Sequence, residues 1–327
     1  MRAVDYSMHC TVYDVDVTVT SPGIGFNYLR MSCRRASHAG SWYADSGRTL
    51  TRELQLWLEK AELKFDPTRT RALIAPHAGY RYSGPCAAHA YKHIDPTEVK
   101  RIFILGPSHH IHLPGCALSK ATTCETPLYP LTVDQGVVSE LRASGMFEEL
   151  SLKADENEHS IEMHLPFIAK AMESKKGAFA IIPIVVGALK PEGEQKYGRL
   201  LSKYILDSTN LFIISSDFCH WGKRFQYTFY DKSHGAIHQS IEALDRKGMD
   251  IVESLNPTAF TEYLQEFSNT ICGRHPMSVL LHAVSCAQGN NSLSVQLRFV
   301  KYCQSNQCKD MNDSSVSYAS AVLTLKA

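Results

Sequence analysis

Arg101-Ile102-Phe103-Ile104-Leu105-Gly106-Pro107-Ser108-His109-His110 is a short apolar run that ends in a turn signal and two imidazoles. Such a run, without polar alternation, predicts a strand buried on both faces. Strands of that kind belong to sheets covered by helices. In open α/β sheets, ligands bind outside the carboxyl ends of the strands. The pattern recurs on either side of the run. Arg71–Ala75 leads through Pro76 to His77, with Gly79 allowing a tight turn behind it. Leu211–Ser215 leads through Ser216 and Asp217 to Cys219, His220, Trp221 and Gly222. The three segments aim imidazoles at a common edge of one sheet, which predicts a metal-type or acid–base pocket. A fourth segment, Ile271-Cys272-Gly273-Arg274-His275-Pro276, offers a thiol.

Outward from these strands the pattern alternates. Leu50, Leu54, Trp57, Leu58 and Ala61 repeat at helical spacing. Further helices are predicted over 85–93, 135–144, 192–206, 232–246, 258–267 and 276–287. Ser160 is read as capping a helix toward Glu173, kinked at Pro166. Phe179–Val186 reads as another strand, and Ser294–Val300 and Ser315–Leu323 as two alternating strands at the C-terminus. The expectation is an α/β fold: a central, mostly parallel sheet flanked by helices, with C-terminal antiparallel strands. Residues 31–327 are expected to form one domain. Residues 1–30 lack a turn-and-partner pattern, and Met31 opens a natural start. They are expected to be an optional extension, the alternative being an edge strand from Thr11 to Thr20.

Composition narrows the function. The 34 basic and 33 acidic residues leave a net charge of +1, with no basic block for nucleic acid. The longest clean apolar stretch, Ile181 to Leu189, is nine residues and contains a proline and a glycine. A bilayer span needs about 20, so no membrane insertion is expected. Ten cysteines are scattered through a long chain, unlike a disulfide scaffold. With Asp5, Asp14 and Asp16 and no apolar h-region, the N-terminus is not a secretory signal. A soluble, intracellular, reduced protein is expected.

Adjacent histidines point in different directions, so His109 is read as facing the site, with His110 as a supporting neighbour and His112 in solvent. His220 is the candidate acid–base group, and Asp217, three residues earlier, its orienter. At Cys272 the nearby Arg274 would favour the thiolate, the form that binds metal. Glu158-His159-Ser160-Ile161-Glu162-Met163-His164 is not a zincin motif, because its histidines are five apart rather than four. One of its residues could still line the pocket. Cys303 and Cys308 lack the spacing and the second pair of a zinc knuckle. No Walker loop, G-x-G-x-x-G or G-x-S-x-G occurs.

Taken together, SHAGSWY (37–43), APHAGY (75–80), ILGPSHH (104–110), DENEHSIEMHLP (155–166), SSDFCHWG (215–222) and CGRHP (272–276) resemble the Memo family, whose namesake mediates receptor-tyrosine-kinase-driven cell motility. The resemblance runs from about Met31 to the C-terminus. It implies a fold similar to class III extradiol dioxygenases and a pocket formed by His77, His109, His220 and Cys272, with Trp42 and Asp217 nearby. It also implies iron or copper as the metal and a protein of the cytoplasm and nucleus. That protein would relay receptor tyrosine kinase signals to the cytoskeleton, with a phosphotyrosine peptide as ligand of the same pocket. Among these residues His77, His109 and Cys272 are taken as the metal ligands. A thiolate in place of the extradiol carboxylate is softer and oxidisable, so ring cleavage is expected to be weak or absent and a redox role is expected. The alternatives are a metal-dependent oxidoreductase of unknown substrate and a structural adaptor with a vestigial pocket.

Overall fold

The computed structural model describes residues 32–290 and 294–325. Nine strands make the main sheet: β1 (Thr70–Ala75), β2 (Arg101–Pro107), β3 (Cys116–Ser119), β4 (Phe147–Leu150), β5 (Ala180–Val186), β6 (Asn210–Ser215), β7 (His220–Trp221), β8 (Val295–Gln304) and β9 (Ser315–Leu325). Their order is β7-β9-β1-β6-β2-β5-β3-β4, with β8 paired to β9. The four central strands, β1, β6, β2 and β5, are parallel. Antiparallel pairing begins on one side at β9, which joins β1, β8 and β7. On the other side β3 runs antiparallel to β5, and β4 runs parallel to β3. The fold is α/β with a mostly parallel centre and antiparallel C-terminal strands, as the alternation predicted.

The centre is apolar because both faces are covered. Ile102, Phe103 and Ile104 are fully buried. Phe103 stands opposite Phe212 in the β2–β6 ladder and stacks on it at 4.7 Å. Burying one such ring contributes roughly 1.5–3 kcal/mol. The helix Gly47–Lys60 is capped by the Ser46 side chain, which accepts from the Thr49 amide, and it buries Leu50 and Leu54. That is the face its spacing predicted.

Several boundaries differ from the sequence reading. The helix after His77 spans Tyr80–Tyr91 and takes Pro85 into its interior. The segment expected as one kinked helix from Ser160 is two, His159–Glu162 and Leu165–Ala171. Pro166 sits in the first turn of the second, where its missing N–H costs nothing. Glu158, rather than Ser160, caps the first, its side chain accepting from the Ser160 amide. The helix expected from 232 starts at Ile237, after a separate turn at Lys232–His234. β3 and β4, four residues each, were not read. They are too short to show a period. The expected extension over residues 1–30 lies outside the described residues, as does its alternative strand. Among the described residues no helix is long and apolar enough to cross a membrane.

One consequence matters most for function. β1, β6 and β2 are neighbours and point the same way. His77, Asp217 and His109 all lie just past their carboxyl ends.

Candidate metal centre

His77 is 2% exposed and doubly anchored. Its amide donates to Asp217 Oδ1 at 2.9 Å. Its Nδ1 lies 2.6 Å from Ser215 Oγ, which spends its single hydrogen on the Ser160 carbonyl at 2.7 Å. Ser215 Oγ therefore accepts from His77 Nδ1–H, and the Nε2 lone pair is left to face the site. Burial, followed by the charge of neighbouring histidines, holds the His77 pKa well below its usual range, so the ring is neutral. A neutral imidazole is the form that binds metal.

His109 is oriented by a different device. Glu158 accepts its amide at 2.7 Å and its Nδ1 at 2.9 Å. Burial alone would raise the Glu158 carboxyl. The His109 ring, with the amides of His109 and Ser160, instead holds it down at about 2. The carboxylate is thus ionised and fixes the tautomer, leaving Nε2 of His109 open. A carboxylate behind a histidine is the usual support of a metal-bound imidazole.

Cys272 Sγ lies 3.2 Å from His77 Nε2 and accepts the Asp217 amide at 3.2 Å. Burial pushes its thiol up strongly, and the Asp217 carboxylate adds to that. The expected help from Arg274 is missing: that side chain is exposed, and its guanidinium bonds the Ile271 carbonyl. Gly273 must be a glycine, since a Cβ there would stand 2.3 Å from the Ser215 carbonyl oxygen. The close approach of these two backbones brings Cys272 to His77.

His220 is half-exposed, and its Nδ1 donates to the carbonyls of Phe218 at 2.9 Å and Thr270 at 3.1 Å. In the neutral ring Nε2 is therefore the acceptor. Those carbonyls take the orienting role expected of Asp217. Asp217, 3% exposed, holds the His77 amide instead, and burial raises its carboxyl pKa against the opposing charge of His220. His110 and His112 are exposed, and Glu158, not His110, supports His109.

His159 completes a cluster in which nitrogen atoms of His77, His109 and His159 all lie within 4.8 Å of one another. Ring orientation separates them. His77 meets His109 at 73° and His159 at 74°, with centroids 5.2 and 5.4 Å apart. His109 and His159 instead stack, 15° from parallel at 4.4 Å. A ring nitrogen's lone pair lies in its ring plane, so two stacked rings cannot both aim at one ion as they stand. Burial and the charge of His109 push the His159 pKa down to about 3.

Trp42 closes the site, its ring 4.5 Å from that of His159 and 5.6 Å from that of His38. Its loop is bolted down by Glu162, which accepts the Tyr43 hydroxyl at 2.7 Å, the His38 amide at 2.7 Å and Arg34 Nη1 at 2.7 Å. A surface cleft of about 650 Å³, lined by Trp42, Trp57, Tyr80 and Arg81 among others, shares Trp42 with the site but none of its histidines. The group that could hold a metal ion is the histidine cluster rather than this cleft.

A family model described as a Memo-like protein matches residues 34–322. The chain belongs to the Memo family. The zebrafish (Danio rerio) Protein MEMO1 is 57% identical over 294 residues, covering 90% of this chain and 98% of the relative. The human (Homo sapiens) Protein MEMO1 is 55% identical over 296 residues, 90% of this chain and 99% of the relative. The memo-1 homolog of Caenorhabditis elegans is 47% identical over 291 residues, covering 89% of this chain and 82% of the relative. An uncharacterized protein of Escherichia coli K12 aligns over 77% of the chain with a TM-score of 0.47 and 11% identity, too loose a likeness to carry an argument.

In this Memo chain the structure brings His77, His109, Cys272 and Asp217 together, with Trp42 reaching the cluster at His159. The sequence reading left one residue of Glu158–His164 to line the pocket without singling out Glu158 or His159, and it gave Ser215 no role. The signal for the first two was the charged run Asp155–Glu162, whose Asp155, Glu156, Glu158 and Glu162 are buried although a surface helix would expose them. Ser215 carried no signal beyond its place at the end of β6.

Proposed function

We propose that the chain is a metal-binding signalling protein on a dioxygenase-like scaffold, holding iron or copper at His77, His109 and Cys272. The observation that carries this reading is the Nε2 pair. Both imidazoles have Nδ1 committed, to Ser215 and Glu158, and meet nearly at right angles with a sulfur 3.2 Å from one of them. Cys272 is preferred to His159 as third ligand because His159 stacks on His109 instead of converging with it. A donor set of two imidazoles and one thiolate favours copper or iron over hard cations. The bound metal would supply Lewis acidity and one-electron redox chemistry. His220, with Nε2 free, is positioned to hold a proton beside it.

The signalling role is proposed on the family relationship. In this reading the protein relays receptor tyrosine kinase signals to the cytoskeleton and cell motility, in the cytoplasm and nucleus. It binds a phosphotyrosine peptide of a receptor or its adaptor at the same pocket, where histidine donors lie beside the Trp42 ring.

Competitive metal titration of His77→Ala, His109→Ala and Cys272→Ser tests the site, with His164→Gln and His275→Gln as controls. Each ligand variant is expected to lose more than tenfold in affinity, about 1.4 kcal/mol, and the controls much less. Five variants that hold metal as tightly as the parent would sink the reading. A larger loss in His159→Ala than in Cys272→Ser would exchange the third ligand. A second reading, a metal-dependent oxidoreductase of unknown substrate, is favoured by the poised His220 Nε2. Oxygen uptake by iron-loaded protein with a catechol panel, abolished in His220→Ala, would support it.

A further inference from the structure

On β8, Lys301 and Cys303 share one face by their two-residue spacing. Across the ladder Ser320 stands opposite Lys301, and Tyr318 opposite Cys303. The helix Tyr80–Tyr91 brings Cys86 onto this face. The Cys86 carbonyl accepts Ser320 Oγ at 2.8 Å, and its Sγ lies 3.7 Å from the same oxygen. Cys303 packs against the small buried cluster that holds Cys86, and neither thiol is in a disulfide. Cys86 is 1% exposed, whereas Cys303 is half-exposed. Cys303 is thus the more accessible residue of the two.

We propose that Cys86 and Cys303 are a peroxide-sensing thiol pair that closes reversibly to a disulfide. Charge supports the order of events. The neighbouring Cys86 thiol lowers the Cys303 pKa against burial, and the Lys301 ammonium assists. The Cys303 side chain, followed by burial, raises Cys86. Cys303 is therefore the thiolate that reacts and Cys86 the thiol that resolves. In the first step the Cys303 sulfur attacks hydrogen peroxide. An S–O bond forms, the O–O bond breaks, and the departing hydroxide leaves as water after taking a proton. In the second step the Cys86 sulfur attacks the sulfenic sulfur. The S–S bond forms, the S–O bond breaks, and the hydroxide leaves as water with the Cys86 proton. Two thiols and one peroxide give one disulfide and two waters, and a dithiol reductant reverses the change.

The bridge would staple the helix that follows His77 to the C-terminal hairpin. Ala78 and Phe225 pack on the same small cluster as the two cysteines, and Phe225 also touches His220, with ring centroids 5.2 Å apart. The pair thus lies behind the wall of the metal centre without using any of its ligands.

The test uses the full-length wild-type chain with a chelator present, so that metal-generated radicals do not contribute. It is treated with near-stoichiometric hydrogen peroxide, alkylated and mapped without reduction. The expected product is a Cys86–Cys303 peptide pair that dithiothreitol reopens. In Cys86→Ser, dimedone should label Cys303 and no bridge should form. Cys303 should be consumed roughly tenfold faster than Cys286, a comparably exposed thiol. The proposal is overturned if Cys86 and Cys303 stay alkylatable while other cysteines oxidise. It is equally overturned if Cys303 reacts no faster than Cys286, or if either cysteine bridges elsewhere.

Discussion

Replacing Glu162 by glutamine should cost the fold about 3 kcal/mol at neutral pH. Glu162 is fully buried and accepts from Arg34, His38, Tyr43 and Ser37. Burial by itself would raise its carboxyl. The His38 hydrogen bond and the Arg34 guanidinium overcome that and hold the pKa at about 2, against an ordinary 4.5. The difference corresponds to about 3 kcal/mol of preference for the ionised form in the folded state. Removing one partner of a buried ion pair costs roughly 3–5 kcal/mol by a separate route, so the two agree. Glutamine keeps the shape but turns an amide NH2 toward groups that are already donors. The lowered carboxyl also fixes the pH window. Its stabilisation is complete above the ordinary value of 4.5 and is lost as pH falls toward about 2. Denaturant titration of wild type and Glu162→Gln, both stripped of metal, should therefore show a gap that narrows as pH drops through that window. The Tm at pH 7 should fall by roughly 5 °C. A loss under about 1 kcal/mol, or a gap that does not change between neutral and acid pH, would refute the account of this carboxylate as an ionised hub.

Gly273→Ala should destabilise by roughly 1–3 kcal/mol and weaken metal binding, because its Cβ would meet the Ser215 carbonyl at 2.3 Å. Gly289→Ala, where a Cβ meets nothing within 4 Å, is the control, and equal effects on melting would contradict the close-approach argument. Metal and a phosphotyrosine peptide should alter each other's affinity if they share the pocket, since linkage is reciprocal. Calorimetric titration of peptide with and without metal decides this, and identical affinities would mean separate sites. A chain that starts at Met31 is expected to keep nearly the full-length melting temperature. A fall of many degrees would show that residues 1–30 contribute to the fold.

Much of the centre was legible because it follows from strand ends. A buried run that stops at a Pro or Gly, followed by a histidine, states both the strand and the place where its side chain emerges. His77 and His109 were read in that way. His112 lies in solvent as expected, its neighbours offering no apolar run to bury it. Less legible were the partners, because a hydrogen bond across distant segments leaves no periodic trace. Glu158 lies 49 residues from His109, and Ser215 lies 138 from His77. The broken helix at Met163–His164 was misread for a local reason. Pro166 can kink a long helix or open a new one, and only packing chooses.

The sequence by itself determined the α/β class, the parallel centre and which edge of the sheet carries the imidazoles. Those follow from side-chain periodicity and from the restricted backbone of Pro and Gly, which are properties of short stretches. The tertiary structure alone decided which nitrogen of each histidine faces the site and which carboxylate holds which ring. It also decided that His159 stacks on His109, and that Arg274 lies too far into solvent to help Cys272. Those outcomes depend on burial and on angles between rings brought together from separate segments. Charge, tautomer and lone-pair direction are set by that three-dimensional surrounding, which no single stretch of the chain contains.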